Sequence, residues 1–258
     1  MQPEEYARIH RHETRHFWYR GVHALFSTAL RRALARAARR DGETGAPVVL
    51  DAGCGTGGLL QALGRALPGA RLAGFDLSPL ALGLARGRGL RNLARGAVER
   101  VPVRSGACDA VVSADVLYHR DVDDDAGALA ELARVVRPGG AVLLHLPAHP
   151  ALRGAHDDAV HGARRYTRGD VRRLAAAAGL EVEKLAWFHC ALLPAAWVVR
   201  RLSRGGPARS DVALPPAPLN ALLAAWTRLE ARLAQRALLP FGLSLFAVLR
   251  KPFPIDGK

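Results

Sequence analysis

Short, almost wholly apolar runs alternate along this chain with longer segments whose apolar residues recur every three or four positions. The runs "VVLDAG" (48–53), "RLAGFD" (71–76), "NLARGAV" (92–98), "DAVVSAD" (109–115), "AVLLHLP" (141–147), "LEVEKLAWF" (180–188) and "SLFAVLRK" (244–251) read as strands. Between them, "GLLQALGRAL", "PLALGLARGRG", "DAGALAELARVV" and "RGDVRRLAAAAG" have helical spacing, and Thr167 is placed to cap the last. Such alternation predicts a parallel sheet flanked by helices, and nearly continuous apolar strands agree with burial on both faces. Upstream, Val22, Leu25, Phe26, Ala29, Leu30, Ala33 and Leu34 mark one face of a helix over Val22–Arg40. The alternation breaks once, between Cys190 and Leu239. There two helical stretches surround the Pro-rich "GGPARSDVALPPAP" before the final strand. Three regions follow: an N-terminal flap and helix (1–45), a sheet domain (46–189 and 240–258) and a helical insertion (190–239).

The first strand ends in an acid, Asp51, and breaks into "GCGTGG", so that Gly53, Gly55 and Gly58 fit G-x-G-x-x-G. A glycine turn between a buried strand and a helix aims backbone N–H groups and the helix N-terminus at a ligand. The absence of "GK[ST]" argues against a nucleoside triphosphate. A dinucleotide and S-adenosylmethionine (SAM) both remain, because Asp76 could bind the ribose hydroxyls of either. Asp51 tips the balance: a carboxylate before the first glycine repels a pyrophosphate and attracts the ammonium of SAM.

"VVLDAGCGTGGLL", "AGFDLSPLAL", "GAVERVPVRSGACDAVVSADVLYH" and "ELARVVRPGGAVLLHLPA", in this order over residues 48–148, resemble the class I SAM-dependent methyltransferases. The resemblance implies an α/β, Rossmann-like doubly wound sheet of seven strands in the order 3-2-1-4-5-7-6 with strand 7 antiparallel. It also implies that Gly53, Cys54, Gly55 and Thr56 face the methionine portion of SAM, Asp76 the ribose, and Leu77 the adenine. Ala97 stands where related sequences often carry Asp, so adenine reading falls to Ala97, Val98 or Glu99. Ala114 and Asp115 close the fourth strand beside the cofactor.

Methyl transfer is an in-line displacement that needs an aligned acceptor and, for a hydroxyl acceptor, a proton sink. His119 is the first candidate base, with Tyr118 beside it; His156 and His161, in "HLPAHPALRGAHDDAVHGARRYT", are the alternatives. Asp157, Arg165 and Tyr166 of that loop are expected to hold a polar acceptor, and no metal is expected. The aromatic "HFWYRG" suggests a flap in which Trp18 meets acceptor and Tyr19 and Arg20 meet cofactor. The insertion, with Trp197, Trp226 and interspersed arginines, suits a cap over the pocket, a bilayer contact or a homodimer interface.

The formal charge of +14 raises the possibility of a nucleic-acid partner. Yet only Lys184, Lys251 and Lys258 are lysines, arginine is spread along the whole chain, and no "NPPY"-type motif for a flipped base occurs. A small-molecule or lipid- or sugar-linked acceptor is the expected partner, with a non-catalytic SAM-binding protein or a nucleic-acid methyltransferase as the alternatives. Cys54, Cys108 and Cys190 are too few and scattered for a disulfide framework. The charged N-terminus reads as no signal peptide, and a cytoplasmic, at most membrane-associated, protein is expected.

Overall fold

The computed structural model describes residues 3–41, 45–154, 157, 161–194, 196–197 and 214–254. Its strands are β1 (Val48–Ala52), β2 (Arg71–Asp76), β3 (Leu93–Arg95), β4 (Cys108–Ala114), β5 (Val136–Pro147), β6 (Glu181–Phe188) and β7 (Ser244–Arg250). They form one sheet in the order β3-β2-β1-β4-β5-β7-β6. β1 to β5 pair in parallel, and β7 runs antiparallel to both β5 and β6. The expected order and the reversed last strand are therefore both present.

Seven helices are described: α1 (Pro3–His12), α2 (Phe17–Asp41), α3 (Gly58–Ala66), α4 (Pro79–Gly87), α5 (Asp125–Val135), α6 (Arg168–Ala177) and α7 (Ala217–Ala234). The sheet buries both faces. Val142, Leu144 and Leu146 of β5 pack with Leu129 and Leu132 of α5 and Val171 of α6. Alternate residues Ala141 and Leu143 pack the other way, with Leu25, Phe26 and Leu30 of α2, Leu63 of α3 and Ala231 of α7. Every residue of β7 is buried, which explains its unbroken apolar pattern. Three helices start as local chemistry requires. Ser78 Oγ accepts the Ala81 amide at α4, Asp124 accepts Ala126 and Gly127 at α5, and Thr167 and Asp170 form a reciprocal capping box at α6.

Three expectations change. The N-terminal helix begins at Phe17 instead of Val22, because its cap comes from elsewhere: the side chain of Asn220 on α7 accepts the Phe17 amide at 3.0 Å. The aromatic segment from Phe17 to Arg20 is thus the first turn of α2 and not a separate flap. Gly21 is needed where α7 crosses, since a Cβ there would lie 2.7 Å from Thr227 Cβ. The third strand shortens to Leu93–Arg95, leaving Ala97 to bridge Arg100. The second helix of the insertion is α7, whereas most of the Pro-rich stretch lies outside the described residues. Among the described residues no helix is long and apolar enough to cross a membrane.

Candidate functional site

The glycine turn after β1 is tied to the end of β2 by its own backbone. The Gly53 and Cys54 amides both donate to the Phe75 carbonyl at 2.9 Å. The Gly55 amide donates to Asp76 Oδ2 at 2.9 Å and the Ser78 amide to Asp76 Oδ1 at 2.8 Å. These two bonds fix the Asp76 carboxylate, yet each oxygen retains a lone pair for a further donor. Burial nevertheless raises its pKa above the usual carboxylate range, with the two amides opposing. Gly55 has φ +53°, and a Cβ added there would meet nothing within 4 Å, so the turn presents bare backbone to open space.

Asp51, one residue before the end of β1, is buried, and its Oδ2 has no hydrogen-bond partner. Burial, reinforced by Asp76 and then Glu13, pushes its pKa up to about 8. A buried carboxylate oxygen without a donor is rare in a folded chain unless a ligand supplies one. Cys54 lies in the same field; burial and then Asp51 and Asp76 raise its thiol.

Glu13, between α1 and α2, completes this acidic floor and was not foreseen. It is buried, and its carboxylate accepts from the Thr56 hydroxyl and from Arg88 Nη2 at 2.6 Å. Arg88 also donates to the carbonyls of Thr56 and His10, which sews the N-terminal segment onto the turn. The only signal was a lone acid inside the basic "RIHRHETRH". Tyr6 of α1 lies in the field of Asp76, its hydroxyl raised by burial and then by that carboxylate. In a chain of formal charge +14, the turn thus gathers Asp51, Asp76 and Glu13.

Of the residues expected to meet adenine, Leu77 is exposed, 48% of its surface being free. Val98 is buried in the core, which leaves its backbone alone to meet a ligand. Glu99 accepts from the Asp123 and Asp124 amides and so braces the loop before α5.

Beyond β4, Asp115 has φ 57°, a strained value for a residue with a Cβ. It is held on both sides by β5: its amide donates to the His145 carbonyl at 3.0 Å, and its Oδ1 lies 3.0 Å from His145 Nδ1. His145 is fully buried, and its Nε2 has no partner. Trp18 meets His145 edge-on and stacks on His189 at 3.7 Å. Burial and then His145 hold His189 well below its ordinary range, so that ring is neutral at pH 7. Sequence reading missed this group although the signal was there, a histidine within an otherwise apolar strand. Tyr19 and Tyr118 close on Asp115; burial first, and that carboxylate among other groups, raises both hydroxyls and keeps them protonated. Ala114 and Arg20 are half-buried, on β4 and on the first turn of α2.

The expected histidine bases stand apart from this group. His119 and His161 pair with ring centroids 5.6 Å apart, beside Arg120 and Asp121. Burial, with His161 and Arg120 nearby, pushes His119 down to about 4, and burial lowers His161 too. His119 Nε2 is buried without a partner. His156 lies outside the described residues.

The expected acceptor-holding residues of the same loop are turned inward. Arg165 Nη2 lies 2.7 Å from Asp157 Oδ1, with both side chains 4% exposed, and Arg165 Nη1 donates to the Ala148 carbonyl. Tyr166 is buried and donates to the Leu117 carbonyl and Asp125 Oδ2. Side chains committed in this way are spent on the loop's own fold. Among the described residues, no group of three or more His, Cys, Asp or Glu could hold a metal ion.

Comparison with known proteins adds to this geometry. Residues 50–144 match the family described as a methyltransferase domain. A mouse tRNA (carboxymethyluridine(34)-5-O)-methyltransferase is 38% identical over 100 residues, covering 38% of this chain and 14% of that protein. The malonyl-[acyl-carrier protein] O-methyltransferase of Hahella chejuensis is 36% identical over 98 residues, covering 37% of this chain and 34% of that protein. The chain thus spans well under half the length of these curated relatives. An S-adenosylmethionine-dependent methyltransferase from Mesorhizobium loti superposes with a TM-score of 0.56 over 88% of this chain and 97% of its own; at 18% identity it speaks for the fold alone.

Proposed function

We propose that this chain, whose residues 50–144 match a methyltransferase domain and whose sheet has the class I methyltransferase order, transfers the methyl group of SAM to an oxygen or nitrogen atom of a small or lipid- or sugar-linked acceptor. The observation that carries this reading is Asp51, a buried carboxylate with an unpartnered oxygen beside an open glycine turn. The residues present fit a cationic nucleoside. Asp51 would meet the ammonium, the backbone from Gly53 to Thr56 the carboxylate end, Asp76 the ribose hydroxyls and Leu77 the adenine.

When bound, SAM supplies a sulfonium-activated methyl group, so the chain's task is alignment and proton removal. Asp115, locked by His145 at Oδ1, leaves Oδ2 as the atom that takes the proton of a hydroxyl acceptor. Trp18, Tyr19 and Tyr118 shape the acceptor side and keep water from it. His119, neutral at pH 7 and with its Nδ1 already accepting the Asp121 amide, is a poor base for that step. Of the insertion, α7 packs against the start of α2, which carries Trp18 and Tyr19.

Calorimetry with SAM and with NAD tests the ligand: SAM is expected to bind and NAD is not, and the reverse result overturns the reading. Asp76→Ala is expected to weaken SAM binding by about 1–3 kcal/mol, the scale of hydrogen bonds to a charged group. An unchanged affinity in the folded variant would remove Asp76 from the ribose site.

Binding is also expected to release a proton. At pH 7, below its value of about 8, Asp51 is mostly protonated, and an approaching ammonium favours the charged form. Affinity should then rise about tenfold per pH unit below that value and level off above it. The check is calorimetry at pH 7 in two buffers of different ionisation enthalpy. Heats that do not depend on the buffer would mean that Asp51 is already ionised or does not meet the ammonium.

A further inference from the structure

We propose that the outer face of α7 docks this protein on an anionic lipid surface. α7 buries Asn220, Ala224, Thr227, Glu230, Ala231 and Ala234 against the rest of the chain. Its opposite side carries Leu219, Leu222, Trp226 and Leu229, exposed by 47%, 67%, 45% and 43%. Their spacing of three and four residues lines them up as one stripe. Isolated exposed apolar residues need no explanation, but an apolar stripe along a helix does.

Charge selects the occupant. The exposed charged residues of α7 are Arg228 and Arg232, followed by exposed Arg236. Its one acid, Glu230, is 1% exposed and is spent inward, accepting from the Cys190 and Ala191 amides and from the Trp226 indole at 2.6 Å. That last bond satisfies the indole N–H within the protein, and Trp226 still keeps 45% of its surface exposed, so its apolar area is free for contact. An apolar stripe bordered only by cations is the pattern of a helix lying in the headgroup region of an anionic bilayer. A second copy of the chain fits less well, because a two-fold interface would set this arginine edge against itself. Leu238 and Phe241, also exposed, continue the apolar character past the helix end.

The position of α7 gives docking a consequence. Asn220 donates to the Arg15 carbonyl and accepts from the Phe17 amide, and the Thr227 hydroxyl donates to the Phe17 carbonyl. The next residue, Trp18, belongs to the aromatic group around Asp115. A lipid surface against α7 would therefore lie beside the helix that borders the acceptor side. Docking itself does not rest on methyl transfer and is read without it.

The test is co-sedimentation of the full chain with vesicles of phosphatidylcholine alone and of phosphatidylcholine mixed with phosphatidylglycerol. Binding is expected to the mixed vesicles and to weaken with salt. Leu222→Asp/Leu229→Asp is expected to reduce it about tenfold or more, and Arg228→Gln/Arg232→Gln by about fivefold per arginine. The arginine variant leaves the apolar surface intact and guards against misfolding, and SAM binding should persist in both. The proposal is overturned if the wild-type chain ignores anionic vesicles, partitions equally into both kinds, or sediments equally well when either pair is replaced. It is also overturned if the leucine variant turns a dimer into a monomer while neither form binds vesicles, which would assign the face to self-association.

Discussion

Asp51→Asn should abolish SAM binding and at the same time stabilise the protein. The ligand effect follows from charge: an amide of the same shape cannot balance an ammonium brought into a buried site. Breaking such a pair is expected to weaken binding by at least about 3 kcal/mol, more than a hundredfold. The stability effect has the opposite sign because the site is built for a ligand. With its pKa moved from 3.8 to about 8, the folded chain holds a proton on Asp51 that the unfolded chain has released. Between those values the folded state binds more protons than the unfolded one, so the contribution of Asp51 to stability falls as pH rises through that window. Asn carries no such charge, and the variant should gain about 1–3 kcal/mol at pH 8. Urea denaturation of both forms at pH 5 and pH 8 is the measurement, and the gap should widen with pH. Asn at this position with wild-type SAM affinity would refute the ammonium contact; equal stabilities at pH 8 would refute the buried, unpartnered charge.

Arg165→Met is expected to destabilise the fold by about 3–5 kcal/mol, since it strands the Asp157 carboxylate inside the protein. The size of the effect separates two roles. A residue waiting for an acceptor would be replaced at little cost to folding, whereas Arg165 and Asp157 are each 4% exposed and satisfy one another. Adding Asp157→Leu should restore much of the loss, because the buried charge is then gone, and the double-mutant cycle reads the coupling directly. A single variant as stable as the wild type would return Arg165 to the acceptor site.

Sequence order and spatial neighbourhood divide these residues between them. Asp51, Asp76 and the glycine turn could be found because the relevant geometry is local: a strand end, a tight turn and a helix start lie within ten residues, and the second acid ends the next strand. Asp157, Arg165 and Tyr166 could not be sorted by role. A charged or phenolic side chain looks the same in sequence whether it faces a ligand or a partner eight residues away. His145 was passed over for a related reason. Strand periodicity reports that a residue is inside, not what meets it there, and its neighbours Asp115, Trp18 and His189 come from three distant segments.

From its own periodicity and punctuation the chain determined a parallel sheet flanked by helices, the place of the break before the last strand, and the acid-flanked turn. Nearly continuous apolar runs and helices with an apolar period of three to four leave few arrangements other than a sheet covered by helices on both faces. Only tertiary packing decided that α2 starts at Phe17, that Glu13 joins the acidic floor and that Asp115 is held by His145. It also decided which face of α7 stays exposed. In each case the deciding group is far away in the chain: Asn220 caps Phe17, Arg88 and Thr56 hold Glu13, and β5 holds Asp115. Hydrogen bonds and buried charge depend on distance in space, and local residue order carries that information only where the backbone turns back on itself at once.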